Sequence, residues 1–354
     1  MTILDRFVRG RSATARLIYV AALCSTLLAC GGGGSSGSSG SSSGGSSSDP
    51  PPPPPPPTTT SLSCDGYPKT VSGTTQVCLI LQEYAQVTPG VSASTNVGNL
   101  TGHGFDILNA FVVYARIIAG AADQGSATAL AQSVVVNTAN SMISATPDQV
   151  DSPQNLQIDF EISTATNTNL TLTSGTGNIS VDNYNAILNL TSNTGNASLT
   201  TVQGQATVNV GTGNASLATV QGTAAVKVGT GNVSLTTVQG QATVNVSTGN
   251  ASLTTVQGQA TVNVGKGNID ATLSGSGWTG AGMNATTQIG NITVSRPAAY
   301  QAAFTAKSDL GDASIDGQQA QAVSGQPPAV VTAGSGAPIM LESKVGDVSV
   351  TTAQ

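Results

Sequence analysis

Between residues 169 and 265, apolar and polar side chains alternate in short runs that restart on a fixed beat. In GQATVNV (204–210), Ala206, Val208 and Val210 alternate with Gln205, Thr207 and Asn209. That period of two predicts a strand with one buried face. In GNASL (195–199), Ala197 and Leu199 point one way while Asn196 and Ser198 point the other. Val202 breaks the parity, which places a turn or bulge around Thr201–Gly204. Gly-Asn recurs at 177/178, 195/196, 213/214, 231/232, 249/250 and 267/268, always 18 residues apart. Thr-Val-Gln-Gly keeps the same beat, starting at Thr201, Thr219, Thr237 and Thr255.

Each 18-residue unit therefore predicts one coil that supplies a strand to each of two facing sheets around a thin core. A lone coil buries too little apolar surface to offset the entropy of fixing its own backbone, so the coils must fold together as a stack. From Leu156 onward there is room for about ten coils. The flanks read as degenerate copies: Leu156, Ile158, Phe160 and Ile162, then Leu170 and Leu172, and later GNITV (290–294), GDASI (311–315) and GDVSV (346–350). The fold class is mainly β, a two-sheet β-solenoid over 153–354 with a small helical cap over 61–152. In that cap the dense apolar run 105–119, with Asp106 in its first turn and Arg116 in its last, predicts a buried helix. A second helix is expected over 127–143, carrying Leu130, Val134 and Thr138 on one stripe, with a break at Thr146-Pro147.

The strings beginning at Gly177, Gly290 and Gly346 resemble the adhesin-type β-strand-repeat domains of bacterial envelope proteins. The resemblance spans roughly residues 155–354. It implies a right-handed, β-helix-like solenoid with a surface or envelope role, and it transfers no catalytic residue.

The start of the chain has a different texture. Residues 1–29 read as an export signal: Arg6, Arg9, Arg11 and Arg16 precede the apolar run Leu17–Leu28, which is too short to span a bilayer. Leu27-Leu28-Ala29-Cys30 resembles the bacterial lipobox, which implies lipidation at Cys30; Gly31 after it resembles lipoproteins sent to the outer membrane. Residues 30–60 form a Gly/Ser tract followed by Pro50–Pro57, a composition that buries nothing and predicts a disordered, partly stiff tether. Cys64 and Cys78 remain as an even pair in an oxidising compartment, which predicts a disulfide.

Composition narrows the function. Only 8% of residues are charged and 3% aromatic, with net charge −6, or about −9 once residues 1–29 are gone. That balance excludes nucleic acid as a partner, because phosphate binding needs clustered Lys and Arg. Residues 169–265 hold just two charged side chains, Asp182 and Lys227, which excludes a calcium roll and polysaccharide-lyase chemistry there. No catalytic residue, metal ligand or cofactor is assigned, and the sole histidine, His103, reads as a loop residue. Asn178, Asn196, Asn214, Asn232, Asn250 and Asn268 are expected to form a turn ladder. Ser198, Thr200, Thr207 and Asn209 make up the candidate binding face. The reading is a lipid-anchored, non-catalytic structural or adhesive protein held to a membrane, with an envelope, cell-surface or glycan partner. The alternative is ice or glycan binding through the Ser/Thr/Asn rows; Tyr184, Trp278 and Tyr300 are the aromatics at hand for sugars.

Overall fold

The structure is a computed structural model and describes residues 62–64, 75–86, 90–106, 110–148, 155–323 and 325–353. The signal, Cys30 and the tether lie outside the described residues, all of which fall in the second of two compact units, Pro54–Gln354. Two walls dominate that unit, one of fourteen strands and one of thirteen. In the coil from residue 195 to 212, the corner Gly195-Asn196 leads into Ala197–Val202 in the first wall. A second corner, Gln203-Gly204-Gln205, leads into Ala206–Thr212 in the second wall. Neighbouring coils pair in parallel and in register, Ala197 with Ala215 and Ala206 with Ala224. Six side chains per coil point inward and are buried: here Ala197, Leu199, Val202, Ala206, Val208 and Val210.

The parity break lies where the alternation predicts it. Thr201, Thr219, Thr237 and Thr255 sit at φ between +46° and +56°, so two consecutive residues face outward before the following valine turns in. A β-branched residue is poorly suited to this left-handed region. One coil earlier the same position holds Asn183, a residue that tolerates it.

The glycine corner is tighter still. A Cβ on Gly231 would meet the Gly213 carbonyl oxygen at 1.8 Å, and Gly231 itself has φ +142°. The same backbone-on-backbone contact runs through Gly98, Gly177, Gly195, Gly213, Gly231, Gly249, Gly267, Gly290, Gly346 and Gly311, in that spatial order.

That order is not the chain order, and both ends of the stack depart from the sequence reading. Gly90–Val97 and Leu100–Phe105, joined at Gly98-Asn99, form a genuine coil directly beneath the one at residues 169–184. The solenoid thus begins inside the segment expected to be a helical cap. At the other end, Pro338–Ser343 and Val348–Thr352 slot between the coil around Gly290 and the strands Ala303–Ser308 and Asp312–Ile315 that precede them in sequence. Antiparallel strands then close the stack: Thr75–Gln86 and Ala110–Ala121 at one end, Gln318–Gln321 and Ala329–Ala333 at the other.

The helix expected over 105–119 is corrected to the strand Ala110–Ala121. Phe111 through Ala115 and Ile117 through Ala119 are all buried, so both faces of this strand are covered and the period of two is erased. Its β-branched Val112, Val113, Ile117 and Ile118 favour the extended form. The second expected helix is shorter than 127–143 and starts earlier, at Gln124–Ser133. The Asp123 side chain caps it by accepting from the Ser126 amide at 2.9 Å. The run Val134-Val135-Val136 ends it, and Val135–Asn137 and Met142–Thr146 pair as antiparallel strands instead. This helix packs against the two antiparallel strands at the N-terminal end of the first wall.

Two outcomes test the corners. Gly231→Ala should cost more than about 3 kcal/mol, because both the φ and the carbonyl contact forbid a side chain. Gly229→Ser should cost clearly less: its Cβ would meet the Gly211 carbonyl oxygen at 2.5 Å, but its φ lies outside the left-handed region and Ser247 already stands in that column one coil on. Thermal melting distinguishes them, and equal melting temperatures would overturn the corner account. Thr237→Asn should stabilise by about 1 kcal/mol by relieving the left-handed strain; a lower melting temperature would contradict it.

Candidate functional site

The most regular side-chain feature is the asparagine column beside the glycine corner. The Asn196 amide N–H donates to Asn178 Oδ1 at 2.9 Å, and Asn196 Nδ2 donates to the same oxygen at 3.0 Å. Asn214, Asn232 and Asn250 repeat both bonds, and Asn268 repeats the backbone one. The ladder runs on past the regular repeats through Asn291, Asp347 and Asp312. In the other direction it passes through Asn99 to the buried Asp159, which accepts from the Asn99 amide at 2.6 Å. Asp can replace Asn because the recurring bond needs only an acceptor oxygen. Arg116 neutralises Asp159 through Nε at 3.0 Å and Nη2 at 2.6 Å. These asparagines are spent on the fold, so the column is a structural spine.

Cys64 and Cys78 are joined by a disulfide, with Cα atoms 5.8 Å apart. The four candidate face residues do not share one surface. Ser198 and Thr200 lie on the outside of the first wall, Thr207 and Asn209 on the outside of the second. Outward columns on the first wall read Ser180, Ser198, Ser216, Ser234 and Ser252, then Asp270. The second wall is less uniform: Thr207 stacks on Ala225 and then Thr243, and Asn209 on Lys227, Asn245 and Asn263. Tyr184, Trp278 and Tyr300 are each at most 7% exposed and offer no platform for stacking a sugar. Trp278 instead donates from Nε1 to the Gly258 carbonyl at 2.6 Å, closing the longer corner between Gly267 and Gly290.

His103 is corrected from a loop residue to a member of the strand Leu100–Phe105. Its neighbour is remote in sequence: Nδ1 lies 2.6 Å from Asp182 Oδ1, because register places the two residues on adjacent strands. Asp182 and, further off, Glu161 raise the imidazole pKa above 6.5 against the opposing effect of burial. A second charge cluster joins Lys307, Lys344, Glu342 and Asp309 on the second wall, with Lys307 Nζ 2.6 Å from Glu342 Oε1. Among the described residues no group of three or more His, Cys, Asp or Glu is placed to hold a metal ion. No helix among them is long and apolar enough to cross a membrane.

Because the folded-state pKa of His103 is raised, its pairing stabilises the protein fully below pH 6.5 and loses that contribution as pH climbs through the raised value. NMR titration of the single histidine should give a midpoint above 6.5, falling in Asp182→Asn. An unchanged midpoint in that variant would disprove the pairing.

Residues 131–351 match the family model described as Toastrack DUF4097. No curated protein matches the chain. Similar solved structures include a candidate cell adhesion protein from Clostridium sporogenes, 14% identical over 77% of this chain and 99% of that one, with TM-score 0.22. Another is a candidate lipid-binding protein from Parabacteroides distasonis, 10% identical over 78% and 97%, TM-score 0.42. A third is a candidate adhesin from Bacteroides fragilis, 13% identical over 77% and 97%, TM-score 0.30.

Proposed function

The chain belongs to the Toastrack DUF4097 family, and from that premise we propose that it is a non-catalytic adhesive protein of the bacterial envelope. In this reading a lipid on Cys30 holds it to the outer membrane and residues 31–60 set the solenoid at a distance. One observation carries the adhesive part: the first wall repeats the same outward hydroxyl coil after coil, with Ser180, Ser198, Ser216, Ser234 and Ser252 in register. Such a surface presents many equivalent weak contacts on a stiff support, which suits multivalent attachment more than the conversion of one substrate. The anchor is supported by the pattern from Leu17 to Cys30, and the tether by a composition that cannot bury a core.

Two measurements test this reading. Cells lacking the protein should attach or aggregate less, with recovery on re-expression of the full chain; unchanged attachment would remove the adhesive reading. Metabolic labelling with palmitate should mark the protein and fail in Cys30→Ser. Labelling that survives this change would refute the anchor.

A further inference from the structure

The central repeats are nearly identical, so their departures from one another are informative. Where Asn209, Asn245 and Asn263 stand in their coils, the intervening coil carries Lys227. Where Thr212, Thr230 and Thr248 stand, the next coil carries Lys266. Both substitutions put a cation on the second-wall side of an acidic protein. Neither lysine has an ion-pair partner among the described residues, whereas Lys307 and Lys344 on the same wall are satisfied by Glu342 and Asp309.

Lys227 also borders a groove. About 370 Å³ of space lies over the second wall between Lys227, Asn245, Asn263, Thr286 and Gln288, with the small residues Ser247 and Gly265 in the adjoining column. Asn263 Nδ2 donates to Asn245 Oδ1 at 3.0 Å, which leaves Asn245 Nδ2 as a donor and Asn263 Oδ1 as an acceptor for a ligand. From Lys227 to Asn263 is two rungs, roughly 10 Å at the strand spacing. This solvent-open space, with Val246 and Val264 beside the amides of Asn245, Asn263 and Gln288 and the hydroxyls of Ser247 and Thr286, and with an unpaired positive charge at its edge, suits a polymer of hydroxyls and anions.

We propose that the outer face of the second wall, from Lys227 to Gln288, binds an acidic polysaccharide, with Lys227 meeting its carboxylate or sulfate and the amides meeting its hydroxyls. This rests on the adhesive reading and names the chemistry of its partner. A charge-assisted hydrogen bond from Lys227 would give the orientation that the buried aromatics do not supply.

Affinity electrophoresis of the full chain through gels carrying polygalacturonate, dextran sulfate or uncharged dextran tests it. Retardation is expected in one or both acidic gels and not in dextran, and the preferred gel identifies the anion as carboxylate or sulfate ester. Lys227→Asn, which restores the residue of the neighbouring coils, should weaken retardation about tenfold without changing the melting temperature. Lys227→Asn with Lys266→Thr should abolish it. Equal retardation in all gels, acidic binding unaffected by both changes, or equally strong binding to phosphatidylglycerol vesicles would overturn the proposal. Cells carrying the double variant should attach poorly wherever an acidic polysaccharide is the surface. Normal attachment there, alongside loss of attachment on deletion of the protein, would defeat the groove and leave the adhesive reading standing.

Discussion

The structure depends on one contact, the approach of each corner glycine to the carbonyl oxygen of the glycine in the next rung. With a Cβ at that point the rungs could not come within strand-pairing distance, since the obstacle is backbone and cannot swing aside. The asparagine after each glycine exploits the same closeness, its side-chain oxygen accepting the amide of the next corner. Close stacking and satisfied corner amides are thus one device repeated through the molecule. It lets a core of Ala, Val and Leu suffice, because hydrogen bonds between rungs supplement a thin interior.

A parallel stack of this kind has an inherent weakness: its terminal rungs would expose unpaired strand edges and an open core. Both ends meet the problem in the same way. A coil from outside the regular series is laid against it, Gly90–Phe105 at one end and residues 338–352 at the other, and antiparallel strands close the outside. Because these coils are intercalated out of chain order, unravelling from an end must break contacts between segments far apart in sequence. Asp159 marks the N-terminal limit of the asparagine ladder, where Arg116 offsets a carboxylate that burial would otherwise penalise.

The outer surfaces follow from the same periodicity. Once the inward positions are fixed, the outward positions fall in register from coil to coil, and a change in one repeat becomes a local feature beside its neighbours. Lys227 acquires its setting in this way: amides lie on the rungs either side of it, supplied by copies that did not change. The His103–Asp182 pair arises differently, from an intercalated coil that sets a histidine beside a strand 79 residues further along.

The sequence by itself determined the repeating unit. The 18-residue beat, the inward set Ala197, Leu199, Val202, Ala206, Val208 and Val210, and the irregularity near Thr201 are all local consequences of side-chain alternation and glycine placement, and local patterns survive into the fold. Gly98-Asn99 carried the same signal and could have been recognised as a corner, but it stands apart from the regular series. The tertiary structure alone decided the ends. Apart from Arg116, Ala110–Ala121 is buried along nearly its whole length on both faces, so periodicity could not separate a strand from a helix; only its neighbours on both edges and both faces made it a strand. The order of the last coils and the partner of His103 likewise depend on contacts between distant segments, and no local pattern encodes which rung lies against which.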